Sequence, residues 1–160
     1  VVTGRIETGI LKAGDPPQSN VKSKVNDSAL ISVNLDVFKT ICDYARAKYP
    51  ENDGRYGLSL RKLIEGKCQT HHESVFIESF LDGVDVRAWT IIEKQYKYTL
   101  YRYYKNKEQL IDLINDLYEM QNISMIHKLL PVKDSLRRKL LDWSFKIDDT
   151  MLTRAIRELD

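Results

Sequence analysis

The sequence has few of the residues that build disulfide frameworks, zinc sites or membrane spans. It contains only two cysteines, Cys42 and Cys68, and neither belongs to the C-x-x-C pair that is typical of zinc sites. We therefore expect free thiols, with Cys42 buried on the apolar face of a helix. No apolar run approaches the roughly 18–20 residues that cross a bilayer, so no membrane contact is expected.

Motifs of catalytic chemistry are also missing. The sequence has no GxxxxGK[ST] phosphate-binding loop and no G-x-S-x-G nucleophile turn. The histidine-rich stretch His71-His72-Glu73 lacks the H-E-x-x-H spacing of zinc proteases, and adjacent histidines on a helix point apart. We interpret it as a surface turn and predict no catalytic residue, no metal site and no cofactor. An enzyme is the less favoured class, although catalytic groups can converge from distant positions.

The charge balance favours no class of partner by itself. There are 25 basic and 23 acidic residues, which gives a formal net charge of +2. A case for nucleic acid must therefore rest on how the charges are distributed. The first residues, VVTGRIETG, show no basic segment followed by an apolar one, as a secretory leader would. With few cysteines as well, we expect an intracellular setting, cytoplasmic or nuclear.

The chain divides into three regions by composition. Residues 1–15 contain two short β-like runs around Glu7-Thr8-Gly9, which predicts a β hairpin or wing. Residues 16–33 are rich in Pro, Ser, Asn and Lys, which predicts a linker. Residues 34–160 have a mainly helical pattern and are predicted to form one helical domain.

Apolar residues at helical spacing follow a series of polar capping residues. The predicted helices include HESVFIESFL, a segment from Asp85 through Trp89 and Tyr103, and a strongly amphipathic segment from Leu110 to Tyr118. An apolar stretch at 123–130 should end at Pro131. The predicted caps are Asn34, Ser59, Asp85, Asn106, Asp134 and either Asp148 or Asp149. The helix after Asn34 should bury Leu35, Phe38, Cys42 and Ala45, and the helix after Asp134 should bury Leu136, Leu140 and Trp143. A short connection, FKID, should join that helix to the last one. The fold class predicted is mainly α: an irregular bundle of six or seven helices with a short N-terminal β hairpin, or a winged-helix-like array.

Two short stretches resemble known families. Residues 1–15 match the pattern T-G-R-x-E-x-G-x-x-K-x-G and resemble the opening hairpin of the β-barrel domain of translation elongation-factor GTPases, which implies a hairpin. The stretch TLYRYYKNKEQL, residues 99–110, resembles the end of the helix-turn-helix of TetR-family repressors. That resemblance implies that Thr99, Tyr101, Tyr103 and Lys107 lie at a DNA backbone, although the A-G-V-S turn of that family is missing ahead of Thr99.

Two basic regions are the candidate binding surfaces. Basic residues interleaved with tyrosine can neutralise phosphates while the rings stack on unpaired bases. The alternative is ordinary packing, with the tyrosine rings in the core and the charged residues on a solvated face that pairs ions such as Arg154 with Glu158. The candidate surface residues are Arg87, Lys94, Lys97, Tyr101, Arg102, Lys105, Lys107, Arg137, Arg138, Arg154 and Arg157.

These features predict a non-enzymatic helical interaction domain that binds a partner protein. The alternative is a helix-turn-helix, DNA-binding regulatory domain that uses the basic and tyrosine-rich helices. Salt dependence separates the two, because phosphate contacts weaken steeply as salt rises. A homodimer through the Leu110–Tyr118 face is a further expectation.

Overall fold

The computed structural model describes residues 29–48, 57–81, 86–103 and 105–159. The chain divides into two compact units, residues 1–73 and residues 74–160. No helix among the described residues is long and apolar enough to cross a bilayer. The predicted hairpin and most of the predicted linker lie outside these residues, so the predicted domain bounds stay a prediction.

The first unit is helical in its described part. It contains α1 (Val33–Ala45) and the short α2 (Arg61–Ile64), and an isolated antiparallel bridge joins Leu30 to His72. The helix predicted after Ser59 is present as α2, but its N-cap is Leu60 and not Ser59. The predicted cap Asn34 likewise lies inside α1, whose N-cap is Ser32. A small apolar cluster lies in this unit and consists of Ala29, Ile31, Leu60 and Leu63.

Gly57 brings the chain close to α1. A Cβ atom at this position would lie 2.3 Å from the Leu35 carbonyl oxygen, a distance at which any side chain would clash with backbone. The absence of a side chain therefore lets the segment after Gly57 run against the first turn of α1. This contact places the Leu58 backbone N–H within reach of an α1 side chain.

The second unit is built on an antiparallel sheet. Its strands are β1 (Val75–Leu81), β2 (Val86–Ile92), β3 (Tyr96–Tyr101) and β4 (Glu108–Asp112), and they are hydrogen-bonded in sequence order. Thr90 faces Thr99 across β2 and β3, with the two hydroxyl oxygens 2.9 Å apart. Tyr98 faces Leu110 across β3 and β4.

Two helices complete this unit, α3 (Leu130–Lys146) and α4 (Thr150–Arg157), after a 3₁₀ turn at His127–Leu129. Asp149 caps α4 by accepting the Leu152 backbone N–H at 2.8 Å. The same carboxylate accepts the Trp89 Nε1–H at 3.0 Å, so it also fastens the start of α4 to β2. The helices pack on the sheet around a core that consists of Trp89, Ile91, Tyr98, Leu100, Leu110, Leu136, Leu140, Leu152, Ala155 and Ile156.

The mainly α fold class is wrong, because a four-stranded sheet occupies residues that we predicted to be helical. The segment HESVFIESFL is β1, and the segment from Asp85 to Tyr103 contains β2 and β3. The predicted helix at 110–118 is instead the end of β4 and a turn region, in which Leu117 and Tyr118 are exposed. Aromatic and β-branched residues dominate β2 and β3, and these residue types fit a pleated sheet better than a helix.

The two C-terminal helices are present as predicted, but Pro131 and the predicted cap Asp134 both lie inside α3, whose N-cap is Leu129. Pro131 lies in the first turn of α3 instead of ending an earlier helix. Proline has no N–H to donate, and the first turn of a helix does not need one. Leu136 and Leu140 are buried as predicted, and Asp149 is the α4 cap.

Candidate functional site

The first candidate site is centred on the carboxylate of Asp36, in the first turn of α1. This side chain is fully buried. The Ser32 backbone N–H donates to Oδ2 at 2.6 Å, and the Leu58 backbone N–H donates to Oδ1 at 2.8 Å. The two amides fix the orientation of the carboxylate.

Two imidazoles reach the same carboxylate. The Nε2 atom of His72 lies 2.9 Å from each oxygen of Asp36. The Nε2 atom of His71 lies 3.2 Å from Oδ2, but it forms no well-aligned hydrogen bond there. The side chains are well covered, with 6% of His71 and 14% of His72 exposed.

The surroundings hold Asp36 in its charged form. Burial alone would raise the pKa of the Asp36 carboxyl, because it removes water from the charge. The interactions with His71 and His72, followed by the backbone donors of Leu58 and Ser32, outweigh burial and hold this pKa well below its usual range. The site is therefore a buried anion with two imidazole nitrogens aimed at it.

Sequence reasoning missed this arrangement. We predicted that His71 and His72 form a surface turn and that adjacent histidines diverge, but they lie in an extended segment that bridges to Leu30. The Nε2 atoms of both rings nevertheless reach Asp36, and the ring centroids are 4.6 Å apart. The carboxylate lies far earlier in the sequence, so no local spacing could have indicated it.

A second buried anion, Glu108 on β4, lies in the second unit. Lys133 Nζ is 3.0 Å from Oε2, and Arg137 donates to Oε1 through Nη2 at 2.7 Å. The Tyr98 hydroxyl donates to the same Oε1 at 2.9 Å. Little of these side chains is exposed: 17% of Glu108, 9% of Lys133 and 18% of Arg137. The network joins α3 to β3 and β4.

Opposing effects set the pKa values in this network. Burial would raise the pKa of Glu108, but the bonds from Arg137, Lys133 and Tyr98 lower it below its usual value. Burial raises the pKa of the Tyr98 hydroxyl far above its usual range, and the neighbouring Glu108 charge raises it further. Tyr98 is thus a neutral donor that helps to hold a charged carboxylate.

The structure places the first group of predicted surface residues along the sheet. Arg87 on β2 pairs with Glu78 at 3.3 Å, and Lys97 on β3 pairs with Glu119. The Tyr101 hydroxyl donates to Gln109 Oε1 at 3.1 Å. Lys107 lies 3.8 Å from Glu158, and the Arg102 guanidinium lies over the Tyr103 ring at 4.6 Å. Lys94 and Lys105 are exposed in turns.

The second group lies on α3 and α4. Arg137 belongs to the Glu108 network, whereas its neighbour Arg138 is exposed. Arg154 and Arg157 line an open surface cleft of about 540 Å³ together with Phe145 and Thr153. Arg154 pairs with Glu158 at 2.9 Å, as the sequence predicted. The use of any of these residues as a binding surface stays a prediction.

The described architecture is that of an α/β domain, with a helical segment followed in sequence by an antiparallel sheet and two covering helices. Residues 16–146 match the model of the family described as N-sulphoglucosamine sulphohydrolase, C-terminal. This match spans well over half of the chain, so the chain belongs to that family. No curated protein matches it.

Solved structures agree with the family match. The chain is similar to a candidate sulfatase of Bacteroides thetaiotaomicron, with 26% identity and a TM-score of 0.66, over 74% of this chain and 25% of that one. It is similar to a 2-O GAG sulfatase, with 26% identity and a TM-score of 0.65, over 74% of this chain and 26% of that one. The fold also matches a protein solved with its substrate D-glucosamine-2-N,6-O-disulfate, with 19% identity and a TM-score of 0.64, over 73% of this chain and 24% of that one. The chain thus spans about a quarter of the length of these structures.

These findings correct the resemblances and the function that we predicted. The likenesses of residues 1–15 to elongation factors and of residues 99–110 to TetR repressors are wrong, because the family match and the structural neighbours are those of sulfatases. In addition, residues 99–101 and 108–110 belong to two paired strands, where the TetR resemblance implies a recognition helix. The all-α, non-enzymatic interaction domain and the helix-turn-helix, DNA-binding alternative are wrong for the same reason.

Proposed function

We propose that this chain serves as the C-terminal domain of an enzyme that hydrolyses sulfate groups on sulfated sugars. The observation that carries the proposal is the family match over residues 16–146. The similar structures named for sulfatase activity or a sulfated glucosamine substrate support the class of substrate.

The surface of α1 supports a role as one part of a larger enzyme. Val37, Ile41 and Tyr44 share one helical face, and they are 41%, 62% and 49% exposed. A contiguous apolar face is unfavourable in water and usually marks a contact surface. Because about three quarters of the matched sulfatase chains lie outside the match, this face is suited to pack against the part of the enzyme that carries out the chemistry.

The proposal is tested by comparing the 160-residue chain with the longer enzyme that contains it. Sulfate release from a panel of sulfated glucosamines, measured by ion chromatography, should occur with the longer enzyme and be absent with the isolated chain. Turnover of phosphate or phosphonate esters without any sulfate release would contradict the proposal.

A matched pair of variants tests the α1 surface. Ile41→Glu in the longer enzyme should lower its soluble yield and thermal midpoint, because it places a charge in a buried contact. Ile114→Glu makes the same change at a residue that is 54% exposed in the turn region after β4 and should have little effect. If the two variants have the same soluble yield and the same thermal midpoint, the α1 face is not a contact surface.

A further inference from the structure

We propose that Asp36, His71 and His72 form a binding site for a divalent transition-metal ion. The ligand atoms, which are the two imidazole nitrogens and a carboxylate oxygen, all lie within 4.8 Å of one another. The inference concerns the first unit only and does not depend on which reaction the enzyme catalyses.

The spacing of the donor atoms is close to what a metal requires. Zinc binds imidazole nitrogen at about 2.0–2.1 Å and carboxylate oxygen at about 2.0–2.2 Å, so two ligands of a tetrahedral site are about 3.3 Å apart. The observed separations are 3.2 Å from His71 Nε2 to Oδ2 and 2.9 Å from His72 Nε2 to Oδ1. Both separations lie within a few tenths of an ångström of that value, and the two imidazole nitrogens lie within 4.8 Å of each other.

The burial and poor hydrogen bonding of the His71 Nε2 atom indicate that this nitrogen can serve as a metal ligand. Its Nε2 atom is buried in a side chain that is only 6% exposed, and it forms no well-aligned hydrogen bond although Asp36 Oδ2 lies 3.2 Å away. A buried polar atom that is left unpaired costs free energy and needs an explanation. A metal ion between His71, His72 and Asp36 would satisfy this nitrogen and neutralise the buried carboxylate.

The shell around the three ligands is already ordered. The N–H groups of Ser32 and Leu58 hold the two carboxylate oxygens, and the backbone N–H of His72 donates to the Leu30 carbonyl at 3.3 Å. Such outer hydrogen bonds orient ligands and strengthen metal sites. The ligands come from α1 and from the 71–72 segment, so a bound ion would link these two parts of the first unit.

The donor set selects the class of ion. Two imidazole nitrogens and one carboxylate oxygen suit zinc, iron, cobalt, nickel or copper, whereas calcium and magnesium prefer oxygen ligands. Three protein ligands also leave a fourth position for water or another ligand, as in open zinc sites. We therefore choose Zn²⁺ as the probe and Co²⁺ as its spectroscopic substitute.

The experiment is a calorimetric titration of the metal-stripped 160-residue chain with Zn²⁺. We expect one ion per chain, a higher thermal midpoint, and visible absorption bands with Co²⁺. His71→Gln and His72→Gln should each weaken binding by at least about tenfold. His127→Gln, which changes an exposed histidine in the second unit, is the matched control and should bind as the parent chain does.

Other outcomes overturn the inference. A variant with both Cys42 and Cys68 changed to Ser should bind Zn²⁺ as the parent chain does. If this variant loses binding, the thiols are zinc ligands and the proposed site is wrong. If a histidine variant fails to fold, the imidazole NMR signals of the parent chain decide: Zn²⁺ must shift those of His71 and His72 and leave those of His127. Absence of binding at micromolar zinc, or equal shifts of all three histidines, would show that the cluster is only a hydrogen-bonded contact.

Discussion

Among the described residues, each unit has a largely buried carboxylate in a network of hydrogen bonds, and the two networks compensate its charge in different ways. Asp36 in the first unit is surrounded by two imidazoles and two backbone amides. Glu108 in the second unit is surrounded by a lysine, an arginine and a tyrosine hydroxyl. Both carboxylates have pKa values below the usual range despite burial.

The side chains around the two carboxylates differ in whether they can change their charge or their partner. Lysine and arginine keep their positive charge at any ordinary pH, so Glu108 is part of a permanent ion network that joins α3 to the sheet. Imidazole can donate a proton, carry a charge or bind a metal, depending on conditions. The Asp36 cluster can therefore exchange a hydrogen-bond partner for a metal ion, whereas the Glu108 network holds α3 against the sheet.

The largest effect is expected when Glu108 is removed. Glu108→Ala removes the carboxylate that pairs with the largely buried Lys133 and Arg137, which should lower the free energy of unfolding by about 3–5 kcal/mol. Both tryptophans of the chain, Trp89 and Trp143, lie in the second unit, so the denaturation midpoint by tryptophan fluorescence reports this unit.

The matched control for that change is Glu158→Ala. Glu158 pairs with Arg154 on the surface of α4, and an exposed pair of this kind contributes at most about 0.5 kcal/mol. If both variants lose the same stability, the Glu108 network is not the ionic core that its burial indicates.

A smaller effect is expected at Asp36. Asp36→Asn keeps the shape but turns one oxygen into a donor, which then faces the N–H of Ser32 or Leu58. An unsatisfied buried donor costs about 1–3 kcal/mol, and this loss should appear in urea titrations followed by NMR signals of α1. Asp43→Asn, on the same helix but partly exposed beside Ser59 and Arg61, should cost less. If Asp43→Asn lowers the free energy of unfolding more than Asp36→Asn does, the buried Asp36 carboxylate is not the more important of the two for stability.

The smallest expected effect is a change with pH in the contribution of Asp36 to the free energy of unfolding. The pKa of Asp36 is lower in the folded chain than in the unfolded chain, so its contribution to stability is complete above the unfolded value of about 3.9 and is lost as the pH falls below it. The stability difference between the parent chain and Asp36→Asn should therefore shrink as the pH falls below about 4. A difference that stays constant down to pH 2 would show that the charge of Asp36 does not stabilise the fold.

The sequence predicted the C-terminal helices well because their signals are local. The Asp149 cap, the buried leucines at 136 and 140 and the short connection between α3 and α4 are all readable within a few residues. We did not predict the sheet because β2 shows no alternation of buried and exposed side chains. Its consecutive residues Ala88, Trp89, Thr90, Ile91 and Ile92 are all buried. A continuous apolar run does not distinguish a buried strand from a helix by periodicity.

The candidate metal site could not be found by any spacing rule. Its carboxylate and its histidines come from distant segments, and the Leu58 N–H reaches the carboxylate where Gly57, which has no side chain, lies against Leu35. The apolar pattern of α1 was also misleading. The residues of this helix that are buried are the polar Asp36, Lys39 and Thr40, whereas Ile41 is exposed.

The bond from Trp89 to Asp149 has a practical consequence for handling the protein. An isolated helix as short as α4 is marginal in water, so this helix persists because it is attached to β2 and covers the sheet with Leu152 and Ile156. A shortened version that ends before Asp149 would leave the indole N–H without its acceptor and uncover the apolar surface beneath. Affinity tags and fluorescent fusions therefore belong beyond Leu159, and expression trials should retain every residue up to that point.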